Sequence, residues 1–527
     1  MDKFLAVQTL IIVLLLIVSL VAIAVRRLRV PYTVALVVVG LLITFEQPLE
    51  ISLTPELILS LFVPPLVFEA AFHLEFKSLR ENWLPIVGLA VPGVLLTTLI
   101  VGVIVAFGLQ VSLLSALVFG ALISATDPVA VVALFRSLNA PKRLSVLIEA
   151  ESLLNDGTAI VIFQIVLAAA LAAASAAAPD GGNAASGFDI LAAAISFVRV
   201  SAGGLGIGIA CGWLVAQITA RIDDYLIETT LTTVLAFGTY LIAERLHVSG
   251  VLAVVAAGVL MGNFGLRNMS PTTRIVLFNF WEYLAFVANS LVFLLIGSEV
   301  NLRQVLAYLL PISVAIIGIL AARAIVVYGL TALTNTRGNP IPIAYQHVLY
   351  WGGLRGAISL ALVLSLPAAF ADRDLMRVLT FGVVLFTLLV QGTTMQFLIK
   401  RLDGGREQQL EHEYERRHAR TVVANSALKR IKQLYQDGVI SVDTWEQLED
   451  SLQEQIDIAL DSERELVRAY PNLQAAERED AELEGLRAKR ASLADLLKNG
   501  IVSETVSDEL IAEVDAAIAK VGAAKTQ

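Results

Sequence analysis

Long apolar runs, separated by short polar segments, fill the first 400 residues of the chain. About thirteen of these runs approach the ~20 residues that a helix needs to cross a bilayer. They cover residues 4–25, 31–45, 55–74, 84–108, 112–135, 144–176, 189–219, 225–246, 248–264, 275–298, 304–333, 342–367 and 375–400. The pattern predicts an all-α polytopic membrane protein whose transmembrane domain spans residues 1–400.

The pattern changes at residue 401. From there to residue 527, apolar positions recur at helical spacing among Glu, Arg and Ala, which is typical of amphipathic helices. The segment LYQDGVIS at 434–441 has a second copy, LLKNGIVS, at 496–503. In each copy the glycine suits a helix C-cap and the final serine suits the next N-cap. Residues 401–527 are therefore expected to form a small acidic helical domain with an internal repeat of helical hairpins.

Composition and charge narrow the class of protein. The chain is 57% hydrophobic and only 16% charged, and its mean hydropathy is +0.75, which argues against a soluble enzyme. Residues 401–527 hold 26 acidic and 17 basic side chains, so this tail carries the whole net charge of −9. Such a tail argues against nucleic acid or anionic lipid as its partner.

Basic side chains indicate the orientation in the membrane. They concentrate in the loops that follow the odd-numbered runs, and cytoplasmic loops are the ones enriched in Lys and Arg. The rule predicts that the N-terminus lies outside and that the acidic tail is cytoplasmic. No organelle signal is recognisable, so a plasma membrane is expected.

The richest polar cluster of the membrane domain lies in the run at 144–176. Glu151, Ser152, Asn155 and Asp156 fall on one stripe of a helix, because they are related by spacings of three and four. A charged side chain at the centre of a bilayer costs about 2.5–3.5 kcal/mol on insertion scales. So many oxygen donors exceed the need of one ion pair, and the stripe is a candidate ion-binding site.

Two other runs are expected to be broken in the middle. Pro128 has no N–H and disfavours helical geometry at Asp127, so a break is expected near Thr126 and Asp127. Asp127 could cap the second half-helix, or its carboxylate and the freed carbonyls could bind a small cation. Glycines at 352, 353 and 356 surround Arg355 and predict a second irregular segment. Paired interruptions are typical of inverted-repeat transporters with a midplane site.

The remaining buried charges need partners. Arg323 lies within an apolar run, and Glu69, one turn after Pro64 and Pro65, is the natural candidate to pair with it. Arg355 could balance Glu151 or the helix ends.

Two polar side chains on the run at 275–298 are expected to be structural. Trp281 is interpreted as an interfacial anchor near the end of the run. Asn289 is interpreted as a core-packing residue rather than a ligand.

Five of these segments together resemble a known family. They are FVPPLVFEAAF, SATDPVAVVALF, ESLLNDGTAIVIF, AARAIVVYGLT and WGGLRGAISLAL, in that order. The set is similar to the monovalent cation/proton antiporters of the first cation–proton antiporter family, which includes bacterial NhaP-type proteins and animal sodium/proton exchangers. The resemblance covers about 400 residues. It implies a homodimer in which each protomer has a dimerisation subdomain and a mobile core with inverted repeats and two crossed, broken helices.

The resemblance also implies roles for single residues. Asp156 would be the principal carboxylate for the cation and the proton, and Asn155 stands where electrogenic relatives have a second aspartate. Further ligands of a Na+-type cation map onto Asp127, Ser152, Glu151 and the carbonyl of Thr126. Arg355 would pair near Glu151, and Glu69 with Arg323 would brace the core.

These residues predict exchange of Na+, or of Li+ or K+, for protons by alternating access. A carboxylate in a partly dry cavity holds its proton more firmly than one in water, and a proton and a cation compete for it. Asn155 cannot titrate, so one-for-one electroneutral exchange is expected, with Arg355 and Glu151 cancelling each other. The substrates are a monovalent cation and a proton. No enzymatic activity, cofactor or nucleic-acid partner is expected.

Three alternatives use the same residues. A K+/H+ antiporter would keep the fold and differ in cavity size and ligand distances. A cation channel could use the acidic cluster without proton coupling, although no repeated filter-like segment is visible. An intramembrane aspartyl protease would need Asp127 and Asp156 to share a proton.

Overall fold

Helices form every regular element in the residues that the computed structural model describes. These residues are 2–28, 31–46, 54–138, 141–176, 189–222, 224–300, 302–335, 340–402 and 406–470, with isolated residues and short runs between 482 and 517. The described chain divides into two compact units, Met1–Leu402 and Asp403–Gln527. The first unit carries the apolar runs.

The chain begins with nine helices, and the ninth carries the polar stripe. They are α1 (Asp2–Leu28), α2 (Tyr32–Glu46), α3 (Val63–His73), α4 (Phe76–Glu81), α5 (Trp83–Ala90), α6 (Pro92–Leu109), α7 (Leu113–Ser124), α8 (Val129–Leu138) and α9 (Lys142–Ala176). A π-helical turn, Leu57–Phe62, precedes α3.

Ten further helices complete the first unit. They are α10 (Ile190–Thr219), α11 (Tyr225–Arg245), α12 (Gly250–Asn263), α13 (Pro271–Glu299), α14 (Leu302–Ala307), α15 (Leu309–Thr334), α16 (Ile343–Trp351), α17 (Ala357–Leu364), α18 (Arg373–Phe386) and α19 (Thr393–Leu402). A 3-10 turn, Gly265–Asn268, follows α12, and a π-helical turn, Thr387–Gly392, joins α18 to α19.

Each of the thirteen apolar runs overlaps one helix or two consecutive helices. Within the described ranges, eight helices or continuous helix pairs are long and apolar enough to cross a membrane, and shorter apolar helices accompany them. The all-helical, polytopic prediction is confirmed. The number of crossings stays a prediction.

Prolines lie at the start of two helices of the first unit. Pro64 and Pro65 occupy the first turn of α3, where a missing N–H is harmless, and the π-helical turn precedes them. Pro92 likewise begins α6 and separates it from α5 at Val91. The apolar run at 84–108 covers both α5 and α6, and hydropathy alone does not reveal this interruption.

Small residues allow α10 and α12 to approach closely. Gly204, Gly208 and Gly212 recur at every fourth position of α10. A Cβ on Gly208 would overlap the backbone of α12, and a Cβ on Gly204 would overlap that of Ser249, the N-cap of α12. Close packing at small residues favours helix association in a membrane. Burial of apolar surface contributes little there, because lipid tails are as apolar as the helices.

Trp281 differs from the expectation. Its side chain is 0% exposed, and its Nε1–H donates to the Thr232 hydroxyl on α11 over 3.1 Å. The ring also packs against Phe68 on α3. A buried indole needs a hydrogen-bond acceptor, and Thr232 supplies one. Trp281 therefore belongs to the contact between three helices rather than to a membrane interface.

The second unit contains two long helices, α20 (Arg406–Gln436) and α21 (Val442–Ala469). Gly438 adopts a left-handed conformation with φ of 71°, which glycine accepts readily. The Ser441 side chain then accepts a hydrogen bond from the backbone N–H of Thr444. A helical hairpin thus lies at the first of the two copies, and the repeat of hairpins stays a prediction. Gly500 and most of the second copy lie outside the described residues.

Candidate functional site

Two interrupted helices meet inside the first unit. Residues 125–128 separate α7 from α8, and residues 352–356 separate α16 from α17, as the proline and glycines predict. The Asp127 N–H donates to the Leu354 carbonyl over 2.9 Å. The Arg355 Nη1 reaches the Ala125 carbonyl at 3.4 Å. Each break therefore satisfies backbone groups that the other one frees.

Asp127 fixes the geometry of the first break. Its Oδ1 accepts from the Val129 N–H over 3.0 Å, so the carboxylate caps α8. Its Oδ2 lies so close to Gly356 that a Cβ at this glycine would overlap it. The capping interpretation of Asp127 is confirmed, and its second oxygen faces the other break.

The polar stripe of α9 contacts the first break. The Ser152 hydroxyl donates to the Thr126 carbonyl over 2.5 Å. The Asn155 Nδ2 donates to the Thr126 hydroxyl over 3.1 Å. Both side chains are buried. The spacing on α9 thus delivers an amide and a hydroxyl to one residue of the interrupted helix.

Asp156 is buried beside these groups. It is 8% exposed, and the Thr126 backbone N–H is directed towards its carboxylate. Within the described part of the chain, no hydrogen-bond partner faces the Asp156 Oδ1 or the Asn155 Oδ1. Two acceptor oxygens on consecutive residues are therefore available to a ligand that brings positive charge.

The charge on Glu151 is neutralised by Arg323. The guanidinium forms a two-pronged pair, with Nη1 to Oε1 at 2.6 Å and Nη2 to Oε2 at 2.9 Å. Its Nε and Nη2 also donate to the Leu349 carbonyl at the end of α16. Arg323 therefore ties α9 to the helix that leads into the second break.

This pairing corrects two expectations. Glu151 uses both of its oxygens on Arg323, so Arg355 is not its ion-pair partner. Arg323 is not paired with Glu69, whose Oε1 lies 3.4 Å from the Nδ1 of His73 one turn further along α3. Spacing along the sequence identified the buried charges but could not show which of them touch.

Arg355 remains close to the site in a different role. It is 1% exposed and interacts electrostatically with Asp156 and Glu151. Its backbone N–H donates to the Thr387 hydroxyl over 3.2 Å. Because Glu151 already has a cationic partner, Arg355 supplies positive charge to the surroundings of Asp156.

Two adjoining cavities lead to this cluster. The inner cavity, about 70 Å³, is lined by Thr126, Asp127 and Asp156, and by residues of α3, α13 and α17. The outer cavity, about 650 Å³, is lined by Glu69, Glu149 and other residues of α2, α3, α8, α9, α13 and α19. Several residues line both cavities, so the inner one forms the end of the outer one.

The predicted residues divide into three groups. Thr126, Asp127, Ser152, Asn155 and Asp156 gather at the first break. Glu151, Arg323 and Arg355 form the charged surroundings. Glu69 lies in the outer cavity.

One polar residue of the inner cavity is not among the predicted site residues. Ser359 lines the cavity, and its hydroxyl lies 3.5 Å from the Ala125 carbonyl. Its position one turn after Gly356 was the available signal.

Comparison with known proteins identifies the family. The transmembrane model of the sodium/hydrogen exchangers matches residues 12–401, which include both breaks and the whole polar stripe. The chain belongs to the sodium/hydrogen exchanger family. The resemblance inferred from five motifs is confirmed, and the chain is a multi-pass membrane protein.

Two relatives cover most of the chain. It is 36% identical to the low-affinity Na+/H+ antiporter NhaS1 of Synechocystis over 489 residues, which cover 92% of this chain and 90% of that protein. It is 42% identical to the Na+/H+ antiporter ApNhaP of Aphanothece halophytica over 407 residues, 76% of this chain and 75% of that one.

A solved structure shares the fold. It is the sodium proton antiporter MjNhaP1 of Methanocaldococcus jannaschii, with a TM-score of 0.61 and 19% identity. The similarity covers 77% of this chain and 100% of that one. At this identity the comparison concerns the fold alone.

Proposed function

We propose that this protein exchanges Na+ for H+ across a membrane, with both ions competing for Asp156. The observation that carries the proposal is the buried Asp156 carboxylate, whose Oδ1 has no hydrogen-bond partner in the described chain. It lies at the end of a cavity and beside an interrupted helix. The relatives named above are Na+/H+ antiporters, which favours Na+ over K+ as the cation.

Desolvation explains why one ion must occupy Asp156. An ionised carboxylate taken out of water is unfavourable unless a positive charge or hydrogen bonds compensate it. A proton on Asp156 removes the charge, and a Na+ ion balances it. Thr126, Ser152 and Asn155 contact one another beside the break, and their oxygen atoms would complete the coordination of a small hard cation.

The balance of buried charge favours one-for-one exchange. Glu151 and Arg323 cancel each other as an ion pair. Arg355 contributes one positive charge against the two carboxylates Asp127 and Asp156, which leaves one negative charge. Either one Na+ or one H+ neutralises it, so the two loaded states carry the same charge. Asn155 adds none, and the exchange cycle moves no net charge.

The outer cavity suggests which state the structure represents. Its lining residues in α2, α3 and α9 lie towards the ends of these helices that adjoin basic loops. By the positive-inside rule this side is cytoplasmic. We infer an inward-open state, with the N-terminus outside and the tail inside a plasma membrane. Alternating access then requires the two breaks to become accessible from the other side.

The proposed transporter is a homodimer that carries out no enzymatic chemistry. A homodimer is supported by α10, a long apolar helix that exposes Ile195, Val198 and Trp213 from the protomer. Transport by ion competition at Asp156 needs no cofactor and no enzymatic step. The substrates are the cation and the proton.

Proton flux in proteoliposomes tests the function. Wild type, Asp156→Asn and Asp374→Asn would be compared under an imposed pH gradient with added Na+, Li+ or K+, with the membrane potential clamped and free. Asp374 is an exposed aspartate in the first turn of α18, so it controls for the change of side chain alone. We expect Na+-dependent flux in wild type and Asp374→Asn, none in Asp156→Asn, and no effect of the clamp.

Each other outcome identifies the part of the proposal that fails. Flux that persists in Asp156→Asn would move the ion site to another carboxylate. Flux with K+ but not Na+ would support a K+/H+ antiporter. A turnover current near one charge per cycle would exclude electroneutral exchange, and a cation current without proton coupling would indicate a channel.

A further inference from the structure

The outer cavity and the inner one adjoin at a junction, here called the neck. Five residues line both cavities and so define this neck. They are Leu66, Ala70, Pro128, Val129 and Asn289. Only Asn289 has a polar side chain. An ion that moves between the outer cavity and Asp156 passes this amide and four apolar residues.

Asn289 lacks the contacts that a packing asparagine usually has. The residue is 8% exposed, no hydrogen bond to its amide is present among the residues that the structure describes, and it lines both cavities. Asn263 on α12 shows the contrast, because its Nδ2 donates to the Leu74 and Val259 carbonyls and its Oδ1 accepts from the Phe76 N–H. An amide that serves packing usually hydrogen-bonds to the protein, as Asn263 does. Packing alone therefore does not explain Asn289.

The placement of α13 gives Asn289 access to an ion. Glu282, two turns earlier on the same helix, lines the outer cavity and is exposed. The seven-residue separation corresponds to about 10 Å along the helix axis. Ala285 and Phe286 line the wall between them. One face of α13 thus runs from an acidic side chain in the outer cavity to an amide at the neck.

We propose that Asn289 is a specificity-determining residue that contacts the cation as it enters the inner cavity. The amide oxygen replaces a water molecule that the cation loses where the cavity narrows and its walls become apolar. Amide oxygens are suitable ligands for small hard cations. The inference rests on the proposed Na+/H+ exchange and adds a contact outside the cluster at the first break. It also replaces the expectation that Asn289 only packs the core.

A contact of this kind acts on the cation and leaves the proton step unchanged. Asn289 carries no charge and does not titrate, so its loss removes an interaction with Na+ and none with H+. A net hydrogen-bond-like contact of about 1 kcal/mol corresponds to a factor of about five in affinity. Li+ is more strongly hydrated than Na+, so the affinity for Li+ falls further when the replacement oxygen is absent.

Kinetics of Asn289 variants in proteoliposomes test the proposal. KM and maximal rate for Na+ and Li+ would be measured at clamped potential for wild type, Asn289→Leu, Asn289→Ala, Asn289→Ser and Ser290→Ala. Ser290 is the matched control, since it is a buried neutral side chain next to Asn289 and lines neither cavity. Its hydroxyl donates to the Phe286 carbonyl and hydrogen-bonds to the Tyr32 hydroxyl. Melting temperatures would identify folded variants.

We expect the KM for Na+ to rise about fivefold in Asn289→Leu, as a loss of roughly 1 kcal/mol predicts. The KM for Li+ should rise further, while the maximal rate and the pH dependence stay near wild type. Ser290→Ala should match wild type. Asn289→Ser, which keeps an oxygen, should have a lower KM than Asn289→Ala, and this pair decides the matter if Asn289→Leu does not fold.

Equal KM values across folded, active Asn289 variants would overturn the inference and leave Na+/H+ exchange intact. A lower melting temperature with unchanged KM would return Asn289 to core packing. Wild-type liposomes without Na+-dependent proton flux would overturn the proposed function and this inference together.

Discussion

Single buried charges determine how the site is organised. Arg323 reaches Glu151 from a position 172 residues away along the chain, and the pair is almost completely excluded from water. Ionised groups in such a place persist only when they are paired and hydrogen-bonded. The sequence predicted that Arg323, Glu151 and Glu69 need partners, because charges are costly in an apolar run. It could not assign the partners, because residue types do not encode contacts across three helices.

Breaking this pair should destabilise the protein more than breaking a surface pair. In Glu151→Gln the Arg323 guanidinium is left buried without its counter-charge, which costs about 3–5 kcal/mol. The double variant Glu151→Gln/Arg323→Met removes both charges and should recover most of that loss. Thermal unfolding of the purified protein in detergent measures both.

The pair of Glu75 and Lys142 is the matched control. Both side chains are more than half exposed, and the Lys142 ammonium donates to the Glu75 carboxylate, which holds the pKa of Glu75 below its ordinary value. Exposed pairs contribute about 0–1 kcal/mol, so Lys142→Met should change the melting temperature little. A double variant no more stable than Glu151→Gln would contradict the assignment of the Glu151–Arg323 pair.

The interrupted helices determine where the site lies. Pro128 and the glycines around Arg355 predicted both breaks, because each residue type disfavours an unbroken helix at its own position. Their meeting could not be predicted from local signals. It depends on the Asp127 N–H bonding to the Leu354 carbonyl and on the absence of a Cβ at Gly356.

Gly356→Ala tests how closely the two breaks must approach. The new Cβ would overlap the Asp127 carboxylate and force the breaks apart, an overpacking that costs about 1–3 kcal/mol. We expect a lower melting temperature and a large loss of Na+-dependent proton flux.

Gly329→Ala provides the comparison. This glycine lies within α15, and a Cβ there would have no heavy atom within 4 Å beyond its own helix. Alanine also favours a helix over glycine, so this variant should keep wild-type flux and stability. Equal flux in the two variants would show that the contact between Asp127 and Gly356 is dispensable.

The net charge of the chain and the proposed ion-binding residues lie in different parts of the sequence. The tail at 401–527 carries the entire net charge of −9, whereas residues 1–400 hold equal numbers of acidic and basic side chains. The unit boundary at Leu402 lies beside this change in composition. All residues of the site, both cavities and the neck lie in the first unit. The apolar pattern therefore predicted the architecture of that unit. The sequence of the acidic tail contains no comparable pattern that would indicate its function.

Removal of the second unit should preserve exchange. A chain that ends at Leu402 keeps both breaks, the polar stripe and every side chain proposed to contact an ion. The removed residues carry ten net negative charges, and their electrostatic effect on ion binding is screened by salt beyond about 8 Å at physiological ionic strength. We expect the truncated protein to show Na+-dependent proton flux with a KM near that of the full chain at that ionic strength, and the same truncation with Asp156→Asn to show none. A truncated protein that is folded and monodisperse but inactive would contradict this expectation and make the acidic unit part of the transport cycle.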